Sequence, residues 1–111
     1  MRRVILWSQD AREDIEEIIL FIKDRSGSEI ARSIYQRIIE RIEKLTELSK
    51  VGRKVPELSI LGNHEYHEII ESPWRIIYRI DEKEVRIISI LDGRRNVEEI
   101  LYKKMIDGKL I

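Results

Sequence analysis

The periodicity of the apolar residues changes near Lys50, and this change limits the chain to few architectures. Before it, isoleucines recur at helical spacing. After it, apolar and polar residues follow one another in short strand-like runs. Helices that precede strands in separate blocks indicate an α+β domain rather than alternating β–α units. With 111 residues, there is room for one such domain and no second core.

In the first block, Arg3–Ser8 reads as a short strand. Asp10 followed by Glu13 has capping-box spacing, and Ile15, Ile18, Ile19 and Ile22 continue as a helix of about 15 residues. Ser26-Gly27-Ser28 stops it: Gly27 suits a left-handed C-cap and Ser28 an N-cap for the next helix. Ala31, Ile34, Ile38, Ile42, Leu45 and Leu48 form the stripe of that second helix, joined by Tyr35. Two amphipathic helices separated by so short a turn make an antiparallel hairpin.

In the second block, residues 51–58 read as a connector, and Gly62-Asn63 as a turn. Strands are expected over His64–Glu71, Trp74–Ile80 and Val85–Leu91, joined by Ser72-Pro73 and by the polar run Asp81–Glu84. Links this short form hairpins, so an antiparallel meander follows. One sheet face packs on the helices, and the other is expected to be only partly exposed. Asn96 with Glu99 caps a short C-terminal helix that ends near Gly108. The whole chain, 1–111, is read as a single domain: an N-terminal strand, a helical hairpin on an antiparallel sheet, and a short C-terminal helix.

Composition excludes several function classes. There is no cysteine, hence no disulfide framework, thiolate metal site or cysteine nucleophile. No apolar run reaches membrane-spanning length, and Met-Arg-Arg leads into a strand-like run rather than a signal peptide, so a cytoplasmic protein with no membrane partner is expected. The 21 basic and 21 acidic residues cancel, which argues against a uniformly basic nucleic-acid binder but leaves room for a local basic patch. Isoleucine, Glu, Lys and Arg dominate while Asn and Gln are scarce, a usage expected of a thermophilic source.

No phosphate loop, nucleophile elbow or helical histidine pair is present, and no metal or cofactor is expected. His64 and His67 are three apart on an expected strand, facing opposite sides, so they cannot share a metal. Arg75 and Arg79 are four apart on one strand and share a face, with Arg94 and Arg95 at the end of the neighbouring strand and Arg53 and Lys54 in the connector. Such a cluster suits phosphate. Equally, Arg75 and Arg79 could pair across strands with Glu68, Glu71 or Glu84. Leu20 and Phe21 fall off the main stripe of the first helix, as part of either a docking face or a wide core stripe. Lys109-Leu110-Ile111 is a frayed end or a docking tail.

Several runs together resemble the RelE/ParE superfamily, toxins of type II toxin–antitoxin pairs formerly called plasmid stabilisation proteins. They are Gly52-Arg53-Lys54-Val55-Pro56-Glu57-Leu58, Tyr66-His67-Glu68-Ile69-Ile70, Trp74-Arg75-Ile76-Ile77-Tyr78-Arg79-Ile80, Val85 to Leu91 and Gly93-Arg94-Arg95, with Trp7-Ser8, Ala11, Asp14 and Ile15 at the N-terminus. The resemblance implies a helical hairpin on an antiparallel sheet and a cognate antitoxin as partner, with Leu20 and Phe21 as candidate contacts. It also implies one of two activities. RelE-like members cut mRNA on the ribosome. For that branch Arg75 and Arg95 match phosphate-contacting arginines, His67 is a candidate base, and Tyr102 lies one residue beyond the expected tyrosine position, which falls on Leu101. ParE-like members poison DNA gyrase and need no nuclease site. The lysine places of RelE-like sequences hold His67 and Ile69, and the Gly-Arg-x-Val-Pro-Glu-Leu connector is present, so the resemblance favours the gyrase branch. Arg53, Lys54, Arg79 and Arg94 are then candidate phosphate or target contacts. The further alternative is an inactivated member that serves only as a binding module. Enzymatic activity is expected on the RelE-like branch alone.

Overall fold

The computed structural model describes residues 2–110. Strand β1 (Val4–Trp7) leads into α1 (Gln9–Ser26) and α2 (Ser28–Glu43), which ends in a 3₁₀ turn at Lys44–Thr46. Then come β2 (Arg53–Lys54), α3 (Pro56–Ser59), β3 (Tyr66–Glu71), β4 (Trp74–Ile80), β5 (Glu84–Asp92) and α4 (Val97–Ile106). The strands form one sheet in the order β1-β5-β4-β3-β2.

The expected hairpin and meander are present, and β4 has the expected bounds. The caps of the helices differ. Ser8, not Asp10, caps α1: its Oγ accepts the Ala11 N–H at 3.0 Å and donates to Ile88 O at 3.1 Å. One hydroxyl thereby satisfies a free helix donor and ties the helix start to β5. Gly27, at φ 93°, serves both as C-cap of α1 and N-cap of α2, in place of Ser28. That positive φ is open to glycine at no steric cost. Asn96 caps α4 as expected, accepting the Glu99 N–H at 3.2 Å.

The sheet is mixed rather than antiparallel throughout. β1 pairs parallel with β5, Val4 opposite Glu84 and Trp7 opposite Ile87. Ile5 and Trp7 reach the core only in this position, beneath the helical hairpin. The expected connector supplies a fifth strand, β2, which pairs antiparallel with β3 through Arg53–Glu68 and Lys54–His67. It also supplies α3, whose first residue, Pro56, lacks only an N–H that a helix start leaves unused.

Both sheet faces are buried. Trp74, Ile76, Tyr78, Val85, Ile87 and Ile90 face Ala11, Ile15, Ile38 and Ile42 of the hairpin. The alternate residues Tyr66, Ile77, Ile88 and Leu91 face Val55, Leu58, Val97, Leu101 and Leu110 in a second core. The expectation of a partly exposed second face is corrected by this cover of α3, α4 and the C-terminal segment. A bulge helps to build it: Ile77 pairs with Ser89 but Tyr78 with Ile87, so Ile88 is an extra residue. With it, Ile87 and Ile90 both turn to the hairpin, which strict alternation would forbid.

Candidate functional site

The second core ends in a line of charged groups. On β4, Arg75 shares a face with Ile77, and β3 brings Glu68 opposite Ile77. β2 brings Arg53 opposite Glu68, and α3 presents Glu57 from its first turn. Arg75 Nε donates to Glu68 Oε1 at 2.7 Å, and its two terminal nitrogens donate to the two oxygens of Glu57 at 2.8 and 2.7 Å. Arg53 Nε donates to the other Glu68 oxygen at 2.7 Å. The Glu68 side chain has no exposed surface, so its charge depends wholly on these two arginines.

Hydrogen bonding from Arg75 holds the Glu57 carboxyl below the usual carboxylate range, with Arg53 adding a smaller electrostatic pull. The Glu57 and Glu68 hydrogen bonds in turn raise the pKa of Arg75, so its charge is permanent. Two glycines allow the close packing around this network. The Gly52 N–H donates to Tyr78 Oη at 3.0 Å, and a Cβ at Gly52 would collide with that oxygen. A Cβ at Gly93 would stand 3.2 Å from Arg75 Cγ and Cδ.

The remaining candidate residues lie apart from this network. Arg79 meets Glu65 at 3.1 Å and lies over the Tyr66 ring, 5.6 Å from its centroid. Arg94 grips Asp92 with Nε and a terminal nitrogen at 3.0 and 2.8 Å, which lowers the Asp92 pKa and raises that of Arg94. Arg95 and Lys54 are exposed and form no ion pair among the described residues. His67 points to the opposite sheet face from Arg75, because its neighbour Glu68 takes the arginine side. Its ring stands 5.9 Å from that of Tyr78, and its Nδ1 is buried without a hydrogen-bond partner. His64 precedes β3 and is exposed. On α4, Leu101 is fully buried in the second core, and Tyr102 is half-buried beside it.

Leu20 and Phe21 are 54% and 60% exposed, so they belong to no core stripe. Phe21, with the Arg25 guanidinium 4.8 Å from its ring centroid, borders a depression shared with Ile18, Trp74, Arg94 and Arg95. Leu20 borders the adjoining groove between α1 and α4, floored by Ile90 and Leu91. This groove exists because β1 pairs with β5 only as far as Ile87.

The family model of the ParE toxin of the parDE type II toxin–antitoxin system matches residues 5–97. The chain belongs to this family. It is 26% identical to toxin ParE3 of Caulobacter vibrioides over 91 residues, covering 82% of this chain and 87% of that protein. Among solved structures, it resembles a chain of the chromosomal ParDE toxin–antitoxin system of P. aeruginosa, with a TM-score of 0.65 at 22% identity, covering 80% of this chain and 94% of that one. It also resembles a chain of the toxin–antitoxin complex RelBE2 of Mycobacterium tuberculosis, with a TM-score of 0.54 at 16% identity, covering 83% and 92%. Those two structures show a shared fold.

In this ParE-family toxin, most of α4 lies past the matched segment. A partly buried ion cluster holds it. Lys104 Nζ donates to Asp10 and, at 3.0 Å, to Asp14. Asp14 Oδ2 also accepts from Ser89 Oγ at 2.7 Å and from the Ile90 N–H at 2.9 Å, so it occupies the β5 edge that β1 leaves open. The sequence-based pairing of Arg75 with Glu68 is present, while sequence reasoning missed the roles of Lys104 and Glu57 and the part of Asp10 in this cluster. One signal was available: Asp10 and Asp14 are four apart, on one helix face. Leu110 is buried and its carbonyl accepts the Tyr66 hydroxyl at 2.6 Å, so up to that residue the tail is docked; Ile111 lies outside the described residues.

Proposed function

We propose that this toxin arrests growth by acting on DNA gyrase, without cutting RNA, and that a cognate antitoxin neutralises it in the cytoplasm. The observation that carries this reading is the full occupation of Arg75. A nuclease needs a cation free to stabilise phosphate charge, with an acid and a base on the same side of the substrate. Here Glu57 and Glu68 take up both edges of the guanidinium, and His67, opposite Tyr78, is on the far face of the sheet. The names of the ParE relatives support the toxin–antitoxin setting. The antitoxin is assigned to the groove beside α1, where Leu20 and Phe21 give it apolar contacts and Arg94 and Arg95 give it positive charge.

Expression in a sensitive host tests the reading, with growth, DNA-damage response and mRNA cleavage followed together. Growth arrest with DNA breaks and intact mRNA is expected. Site-specific mRNA cuts without DNA damage would replace the gyrase reading by the RelE-like one. Normal growth with folded protein would leave a binding module.

A further inference from the structure

β1 is an edge strand with an open outer side. Val4 and Ser8 donate their N–H groups inward, to Lys83 O at 3.0 Å and Ile87 O at 2.9 Å. Backbone groups alternate along a strand, so those of Ile5 and Trp7 point away from β5. Among the described residues they meet no backbone partner. The open stretch is bounded at both ends. Before it, Thr46 O accepts the Arg3 N–H at 2.7 Å; after it, Ser8 turns the chain into α1. No lysine or proline within the strand blunts this edge.

The open groups are self-complementary. Set antiparallel to itself with Leu6 opposite Leu6, the strand places Ile5 opposite Trp7 of the second copy. Residues opposite in this way exchange both N–H···O bonds, so each open stretch satisfies the other in full. The side chains agree with this register. Ile5 and Trp7 are only half-buried under the hairpin, and each would gain the other as a cross-strand partner on that face. On the opposite face half-buried Leu6 meets itself, beside Val4, which is 62% exposed. Charge selects the antiparallel sense. Arg2 and Arg3 precede the strand, whereas Glu13 borders the depression at its Trp7 end, so the two copies bring unlike charges together.

We propose that β1 is a dimerisation strand, with a two-fold axis at Leu6 that joins the sheets of two copies of this chain into one. A two-fold contact of this kind uses the same patch on both copies. It leaves both helical hairpins on one side of the joined sheet. The interface is independent of whether the toxin acts on gyrase.

Sedimentation of the full chain over a range of concentrations is expected to show a dimer, and amide hydrogen exchange followed by NMR locates it. The Leu6 amide faces β5 and should be protected at every concentration, whereas the Ile5 and Trp7 amides should gain protection only as the dimer forms. Leu6→Lys sets two like charges at the axis and should weaken association at least tenfold, with circular dichroism reporting the fold. If that variant fails to fold, Glu13→Arg, at an exposed position, sets like charges beside Arg2 and Arg3 of the second copy and should also weaken association. A monomer at every concentration, a dimer whose Ile5 and Trp7 amides exchange freely, or undiminished association in the folded variant would overturn the proposal. Protection of these two amides that appears only when the cognate antitoxin is added would assign the edge to the antitoxin and overturn self-pairing.

Discussion

Arg75 Nε donates to Glu68 Oε1 at 2.7 Å, and the side chain of Glu68 is wholly buried beneath this contact. The pair is a diagonal cross-strand contact, with Glu68 opposite Ile77 and Arg75 opposite Ile70, and its energetics differ from those of an exposed pair. Removing one partner of a surface pair costs little, because water takes its place. Removing Arg75 leaves a carboxylate inside the protein with only the exposed Arg53 to compensate it.

Arg75→Ala is therefore expected to cost about 3–5 kcal/mol of stability, the range for breaking a buried ion pair. Arg53→Ala, at a side chain 63% exposed, should cost about 1 kcal/mol or less. Urea unfolding of both variants measures the contrast. A loss below about 1 kcal/mol for Arg75→Ala would return the pair to the class of ordinary cross-strand contacts.

Stability should fall in acid, for a reason that can be located. Glu57 and Asp92 have folded-state pKa values below their ordinary ones, because Arg75 and Arg94 stabilise their charged forms. A lowered folded pKa means that the unfolded chain binds protons first. The associated stability is thus present above the ordinary carboxylate pKa of about 4 and is lost as pH falls through the lowered value. Thermal melts from pH 7 down to pH 3 should show this loss, and Glu57→Gln should flatten part of the slope. An unchanged slope in that variant would remove Glu57 as a source.

Phe21→Glu should leave folding almost unaltered, within about 0.5 kcal/mol, because the ring is exposed. Antitoxin affinity should fall at least tenfold, measured by calorimetry with the cognate antitoxin. Unchanged affinity would place the antitoxin elsewhere.

A melting midpoint above about 65 °C is expected, beyond the usual mesophile range. The isoleucine-rich double core and the linked pairs Arg53–Glu68–Arg75–Glu57 and Asp10–Lys104–Asp14 are its physical basis. Scanning calorimetry gives the value, and a midpoint near 50 °C would remove the thermophilic reading.

The legible parts of this protein are those where neighbours in sequence determine the outcome. The Ile15–Ile22 and Ala31–Leu48 stripes indicate helices, although Leu48 lies past the helix end and, like Tyr35, is exposed; Ser26-Gly27-Ser28 indicates a sharp reversal, and Ser72-Pro73 and Asp81–Glu84 the meander turns, because each rests on local periodicity or backbone preference. The resemblance carried by the connector and the arginine-bearing strand leads to the family by the same local route.

Pairing between distant residues was decided by the tertiary structure. A strand as short as Val4–Trp7 carries no mark of its partner, so its parallel place beside β5 came from burying Ile5 and Trp7. The bulge at Ile88 and the second core over Tyr66, Ile77 and Leu91 required α3 and α4 to be in place. The charges follow the same division. Composition shows that acids and bases balance, 21 against 21. Only the register of β2, β3 and β4 shows which ones meet, setting Glu68 between Arg53 and Arg75 and turning His67 to the other face. An ion pair depends on distances of a few ångströms between side chains far apart in the chain, and such distances exist only once the sheet has formed.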